Sequence, residues 1–261
     1  MNVTFLPFAQ DMASARLRGS IPQRELKKMG IRPGMDILVA SKHGWSDRVT
    51  KGFRKIVFDV CDDHFHDQHE DHYRKWCIKA DLLTCNSLDM QDLIKKETGR
   101  ESVIVHDPYE QPLREPKCSR PPLWFGIGTN FGDIFPYTTK VPDLIVVSNV
   151  QHPRVIGWTP EVMDKMFNRA GISLIPTGVK KTKSANRAID SIRRGLYPCT
   201  GKMTAYDELG LGTDDPLEEM ENRLSEPEKT KQRIRDLQDL VEFRFSPHTI
   251  AEQWIKALSS I

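Results

Sequence analysis

No apolar run approaches the roughly 20 residues that a membrane-spanning helix needs, so the chain offers no candidate span. It also lacks any C-x-x-C pair. Its five cysteines (Cys61, Cys77, Cys85, Cys118 and Cys199) are an odd, scattered set, and reduced thiols in a cytoplasmic protein are the simplest reading. The N-terminus, MNVTFLPFAQDM, has neither the basic start nor the long apolar core of a signal peptide. Its short apolar stretch reads instead as a first buried strand. An excess of one charge sign is missing too. With 38 basic and 36 acidic residues the formal charge is +2, which gives no global push toward nucleic acid or an anionic membrane. No internal repeat is strong enough to use. What remains is ordinary for a globular protein: 38% hydrophobic and 28% charged residues, in a length of 261 that suffices for one large or two small domains.

Short apolar runs alternate with amphipathic stretches, the mark of α/β layering. VTFLPF, MDILVAS (35–41), KIVFDV (55–60), ADLLTCNS (80–87) and SVIVHD (102–107) read as strands. LDMQDLIKKETG has helical spacing and ends on Gly99, a good helix stop. PYEQPLREPKCSRPP (108–122) carries five prolines and almost no apolar periodicity, so a linker is expected there. A second series follows: PLWFGIG (122–128), DLIVVSN (143–149), RVIGW (154–158), ISLIPTG (172–178) and LYPCTG (196–201), with helices over VMDKMFNRAG and ANRAIDSIRRG. The charged stretch from Glu218 to Arg235 fits a solvated helix. SPHTIAEQWIKALSSI begins with a cap at Ser246 and Pro247, and its stripe of Ile250, Trp254, Ile255 and Leu258 must pack on something. The expected division is therefore 1–110 plus 246–261 as one domain, 111–122 as linker and 123–245 as the other.

In open parallel sheets ligands bind beyond the carboxyl ends of the strands. Ser14, Arg16 and Arg18 follow the first strand, and Glu110 closely follows the fifth. The segment Gly126-Ile127-Gly128-Thr129-Asn130 follows the first strand of the second half; exposed amides there suit a phosphate, although GIGTN is not GxGxxG and a tight turn explains it as well. Lys180 to Arg187 lies between a strand and a helix. Ser184 or Thr182 suits an N-cap, and Lys183 and Arg187, four apart, fall on one face of the opening turns, where two cations suit a diphosphate. The bland alternative is a solvated basic turn. Trp158, at a strand end, suits stacking on a nucleobase, or simply anchors a helix entry.

Asp62, Asp63, His64, His66, Asp67, His69, Glu70, Asp71 and His72 crowd eleven positions. Histidine and carboxylates are good metal ligands, yet the spacing matches neither H-E-x-x-H nor another zinc motif. A polar loop or a solvated helix start is the expected alternative. His64 suits a general base or a sugar contact, because an imidazole titrates near neutrality.

Taken in order, these segments resemble the GT-B glycosyltransferases, in particular the glycogen-synthase-like retaining group. FLPFAQDMASARLR resembles the first strand and its substrate-facing loop. KIVFDVCDDHF, ADLLTCNSLDMQDLI and SVIVHDPYE resemble the close of the N-terminal domain. LWFGIGTN and GISLIPTG…KSANRAIDSIRRGLYPC resemble the donor-binding pieces, and the final helix resembles a tail that crosses back onto the N-terminal domain. The resemblance covers most of the chain. It departs from the pattern at one place: of two glutamates eight positions apart in many of these enzymes, Asp190 stands at the second position and Thr182 at the first.

The resemblance implies an α/β fold of two Rossmann-like domains facing across a cleft, with a nucleotide-sugar donor and no metal cofactor. On the donor side it implies Gly128, Asn130, Trp158, Lys183, Ser184, Arg187 and Asp190, with Asp190 orienting the ribose. On the acceptor and sugar side it implies Ser14 and Arg16, with Asp63, His64 and Glu110 as the catalytic candidates. The acceptor expected is a polysaccharide or lipid-linked glycan, reached in solution or by peripheral membrane contact. A hydroxymethylated DNA base is the alternative acceptor. The rival classes are a non-catalytic glycan- or partner-binding protein and a metal-dependent hydrolase built on the His/Asp cluster.

Overall fold

The computed structural model describes residues 1–6, 12–42, 45–176 and 182–261. Pro7 and Phe8 of the first apolar run, Thr177 and Gly178, and Lys180 and Lys181 of the basic turn lie outside the described residues. The chain forms two compact units: Met1–Glu110 with Thr182–Ser184 and Arg244–Ile261, and Gln111–Lys181 with Ala185–Phe243.

The first unit is built on five parallel strands, β1 (Val3–Leu6), β2 (Ile37–Ser41), β3 (Lys55–Val60), β4 (Leu82–Cys85) and β5 (Val103–Ile104), ordered β1-β2-β3-β4-β5. Its helices are α1 (Ala13–Ala15), a π-helical turn (Arg16–Ser20), α2 (Ile21–Lys28), α3 (Asp47–Thr50), α4 (Glu70–Lys79), α5 (Leu88–Thr98) and the C-terminal α12 (Pro247–Leu258). A strand covered on both faces reads as a continuous apolar run, not an alternating one. ILVAS of β2 is such a run. Leu38 and Ala40, with Phe58, Val60, Leu83 and Cys85, pack on Tyr73, Trp76 and Cys77 of α4 and on Met90 and Ile94 of α5. Ile37 and Val39, with Val3, Phe5 and Val57, pack on Leu26 of α2 and on Ile250, Trp254 and Leu258 of α12. The final helix thus completes the first unit's core. The Trp254 ring meets Phe5 edge-on at 5.0 Å, and Ser246 Oγ caps the helix by accepting from Thr249 N–H at 3.1 Å. Such a cap contributes about 1 kcal/mol.

The second unit holds β6 (Pro122–Phe125), β7 (Ile145–Ser148), β8 (Ile156–Gly157), β9 (Ile172–Ile175) and β10 (Tyr197–Thr200), all parallel and ordered β10-β9-β6-β7-β8. Its helices are α6 (Phe131–Ile134), α7 (Pro160–Arg169), α8 (Asn186–Arg193), α9 (Thr204–Asp207), α10 (Pro216–Ser225) and α11 (Pro227–Phe245). Met163, Met166 and Phe167 of α7 cover Leu123, Ile145 and Val147. The proline-rich stretch is held on this unit: Arg114 N–H donates to Arg193 O at 2.8 Å and Lys117 N–H to Gly195 O at 2.7 Å. Gly195, at φ 75°, must be glycine, because an added Cβ would stand 2.1 Å from Glu115 O.

One expectation is corrected here. The charged stretch 218–235 is not one solvated helix but parts of α10 and α11, parted at Glu226 before Pro227, and both bury apolar residues: Met220 on α10, and Ile234, Leu237 and Val241 on α11. Among the described residues no helix is long and apolar enough to cross a membrane.

Candidate functional site

Two clusters of polar groups collect at strand ends, one in each unit. In the first unit the π-helical turn that follows α1 begins with Arg16. Its guanidinium forms a bidentate pair with Glu110, Nε to Oε2 at 2.7 Å and Nη2 to Oε1 at 2.8 Å. The fold therefore joins two expected site residues that are 94 positions apart in sequence. Two residues earlier, Ser14 is half-buried on α1.

Beneath this pair lies Arg18, 1% exposed, whose role the sequence did not disclose. Its Nε and Nη2 grip the Asp59 carboxylate at 3.0 and 2.5 Å, and Nη1 reaches Asp107 Oδ1 at 3.2 Å, His106 O at 3.1 Å and Val105 O. Asp59 also accepts from Ser41 Oγ at 3.1 Å and Thr84 Oγ1 at 2.8 Å, while Arg18 lies 5.2 Å from the Trp254 ring centre. Burial works against the Arg18 charge, but Asp59 and then Asp107 outweigh it and hold the guanidinium pKa above its ordinary value. The one hint in sequence is Asp59 itself, a carboxylate inside an apolar strand, which needs a buried partner.

The His/Asp segment does not converge on one point. Asp63 Oδ1 accepts from Phe65 N–H at 3.2 Å, a local turn bond. His64 Nδ1 donates to Asp67 Oδ2 at 2.6 Å, and its ring lies edge-on to Tyr73 at 5.1 Å. Burial raises the Asp67 pKa, but hydrogen bonds from His64 and from the His69 amide outweigh that and hold the carboxyl below its usual range. An ionised Asp67 can only accept, so His64 carries a proton on Nδ1. His66 instead faces Glu97 at 3.4 Å, and His72 packs edge-on to Trp45 at 5.1 Å. Among the described residues no group of three or more His, Cys, Asp or Glu side chains is placed to hold a metal ion.

His72 carries a pH prediction. Burial is the largest influence on its imidazole and depresses its pKa below 6.5. The folded state then binds fewer protons than the unfolded one, so this contribution to stability is complete above the unfolded pKa and is lost as pH falls below it. A melting series from pH 8 to pH 5 should show a decline in Tm beginning near about pH 6.5, and the decline should flatten in His72→Phe. Equal slopes in the two proteins would contradict it.

In the second unit the chain runs from β6 through β7 to β8 on one side, and returns to β9 and β10 on the other. The order reverses between β6 and β9, the topological switch point at which open parallel sheets hold ligands. The loop after β6 is the Gly126–Asn130 segment. Gly128 N–H donates to Asn149 Oδ1 at 2.7 Å, and a Cβ at Gly128 would stand 2.7 Å from Val150 Cγ2, so a side chain there would have to displace Val150. Asn130 closes the turn, its N–H donating to Ile127 O at 2.9 Å. Helix α8 follows the β9 loop. Its Arg187 Nη1 comes within 3.5 Å of Phe125 O, with the guanidinium 6.0 Å from the Trp124 ring centre, so α8 and the end of β6 meet through this side chain. Asp190 is half-buried one turn further along α8. Trp158, 46% exposed, follows β8, where its N–H donates to Ser148 O at 2.9 Å.

Two sequence expectations fail at the start of α8. The N-cap is Ala185, with no side-chain cap, so neither Ser184 nor Thr182 caps the helix. The helix begins at Asn186, so Lys183 precedes it and shares no helical face with Arg187. Lys183 and Ser184 belong to the first unit, whereas Arg187 and Asp190 belong to the second.

No protein-family model matches this chain, and no curated protein matches it. Solved structures do. Alr3699/HepE from Anabaena, determined in complex with UDP-glucose, aligns at 13% identity over 100% of both chains with a TM-score of 0.72. OtsA aligns at 12% identity over 98% of this chain and 80% of its own, with a TM-score of 0.60. TarM aligns at 8% identity over 85% of this chain and 54% of its own, with a TM-score of 0.56. At such identities the likeness shows the fold, and these neighbours share the GT-B fold.

Proposed function

Starting from a GT-B fold, we propose that this chain is a glycosyltransferase that takes a sugar from a nucleotide-sugar and passes it to a glycan acceptor. The observation that carries the proposal is the switch point between β6 and β9, where a glycine-walled loop, an uncapped helix start and Arg187 come together. Amides at a helix N-terminus bind oxyanions, and a guanidinium adds a charge-assisted fork. That combination suits a nucleoside diphosphate, with the Gly128–Asn130 turn and Arg187 at the phosphates, Asp190 on the ribose and Trp158 beside the base. Lys183 and Ser184, directly before α8 in the chain, are carried as further donor-side candidates. HepE was solved with UDP-glucose, so uridine nucleotides are the first donors to test.

The first unit supplies the acceptor and sugar side. Arg16 and Glu110 act as one unit because each satisfies the other; together they offer a fixed donor and acceptor pair to sugar hydroxyls. Ser14, two residues before Arg16 in the chain, is the further candidate on this side. His64, oriented by Asp67, is the candidate general base or sugar contact, with Asp63 next to it in the chain as the second candidate. The leaving diphosphate would be stabilised by preorganised donors, the largest usual electrostatic contribution to such a step. Five free thiols fit a cytoplasmic setting.

Chemistry on these lines needs no resident metal, since helix amides and basic side chains meet the diphosphate charge. Transfer should persist after exhaustive chelation. Activity lost on chelation and restored by one specific ion would contradict this and turn attention to the Asp62–His72 segment.

Thr182, at the position where the related pattern carries its first glutamate, favours a second reading: a GT-B protein that binds a glycan or partner without catalysis. Mass spectrometry separates the two. The transferase reading expects a hexose mass increment on a polysaccharide, lipid-linked or hydroxymethylated-DNA acceptor, or hydrolysis of the donor. Donor binding without either product supports the second reading.

A further inference from the structure

Lys42 lies directly after β2 and is the one residue other than glycine with a positive φ, 59°, among those described. A lysine gains nothing by itself from the left-handed region, so surrounding contacts must hold it there, a condition common at functional sites. Its side chain is buried, 8% exposed, and its Nζ pairs with Asp62 Oδ2 at 2.5 Å. Burial works against the Lys42 charge, but Asp62 foremost among its neighbours outweighs it and keeps the ammonium pKa above the ordinary lysine value. Lys42 therefore holds Asp62, where the chain leaves β3, at the head of the segment that runs into α4. Directly beyond Asp62 lie Asp63, His64 and Asp67.

We propose that Lys42 is the positioning residue of this segment, tethering Asp62 at its head so that the neighbouring His64–Asp67 pair is held in place; the inference rests on the transferase reading. The tether depends on the left-handed backbone at position 42, which sets where the buried ammonium lies. Asp62 is thereby a tether for the loop, and a pair this well buried on the lysine side is costly to break.

The test is made on the full chain without donor, so it stands apart from any failure to transfer sugar. Histidine-selective nuclear magnetic resonance follows the titration and tautomer of His64, and amide hydrogen exchange follows residues 61–72 in the wild type, Lys42→Met and Lys42→Arg. Lys42→Met should move the His64 midpoint by at least about half a pH unit and speed exchange across 61–72 about tenfold, leaving β6, β7 and β9 of the second unit unchanged. Lys42→Arg should restore most of the wild-type behaviour, since it keeps the charge. Asp62→Asn, which cuts the same pair from its half-exposed side, should reproduce Lys42→Met and replaces it if that variant fails to fold. An unchanged His64 titration with unchanged exchange over 61–72 would overturn the assignment. So would a uniform rise in exchange throughout the chain, which would make Lys42 a general stabiliser and not a tether.

Discussion

Replacing Arg18 with methionine is expected to cost about 3–5 kcal/mol of folding free energy. The guanidinium is 1% exposed and is the cationic partner of Asp59, which is 0% exposed, and of Asp107 at 6%. Removing it leaves the Asp59 carboxylate in the interior with the hydroxyls of Ser41 and Thr84 as its partners, and takes the guanidinium away from Asp107. The same side chain joins the π-helical turn to the end of β5 through Val105 O and His106 O, and it faces Trp254 on α12. Its loss should therefore loosen the attachment of the C-terminal helix as well as the turn that presents Arg16. Typical domains hold only about 5–15 kcal/mol in total, so the variant should lie near the edge of folding. Urea unfolding of the wild type, Arg18→Met, Asp59→Leu and the double variant measures it. The double variant should be markedly less damaged than the sum of the singles, because a buried pair replaced by apolar groups no longer strands a charge. A loss under about 1 kcal/mol in Arg18→Met would show that the network is dispensable.

Replacing Arg187 with alanine should weaken donor diphosphate binding by about 1.5–3 kcal/mol, roughly 10- to 150-fold. Arg187 is the charged side chain that the fold sets against the end of β6, beside the glycine-walled loop. The Gly128 amide is partnered by Asn149 and cannot replace a cation. Arg187→Lys should recover part of the loss, since it restores charge but not the fork. Lys183→Ala is expected to cost less, because Lys183 precedes α8 instead of lying along it. Calorimetry with the preferred nucleoside diphosphate gives both numbers. Unchanged affinity in both alanine variants would remove the phosphate assignment from this loop.

The strands were legible in the sequence because a parallel strand buried on both faces is a short apolar run with no rival explanation. KIVFDV became β3 without a shift at either end. The final helix was equally legible, since Ile250, Trp254 and Leu258 recur at helical spacing behind a serine cap. The charged stretch misled for a physical reason. Ile234, Leu237, Val241 and Phe245 form a stripe along α11, but three quarters of it lies beyond Arg235, in a helix whose other faces are densely charged. Pro227 marked the break between α10 and α11, since the residue before proline avoids helical backbone.

The site was legible by type more than by arrangement. Strand ends drew attention to Arg16, His64, Glu110, Gly128 and Arg187, and the Gly126–Gly128 loop does stand at the switch point. Pairing was out of reach: nothing local in sequence links Arg16 to Glu110 or Arg18 to Asp59 and Asp107. Lys42 was also invisible, because its left-handed backbone is set by tertiary contacts and not by its own preference. The density of His and Asp from 62 to 72 suggested convergence, but spacing along a loop and a helix start spreads these side chains among Lys42, Asp67, Glu97 and Trp45.

The central claim, that the second unit binds a nucleotide-sugar at the β6/β9 switch point, is tested most directly by calorimetric titration of the full chain with a panel of nucleotide-sugars, UDP-glucose first, alongside Arg187→Ala. Saturable binding of at least one donor to a single site, weakened at least about tenfold in Arg187→Ala while both proteins stay folded, is the result expected. Absence of binding by every member of the panel to the folded wild type, or equal binding by wild type and variant, would contradict it.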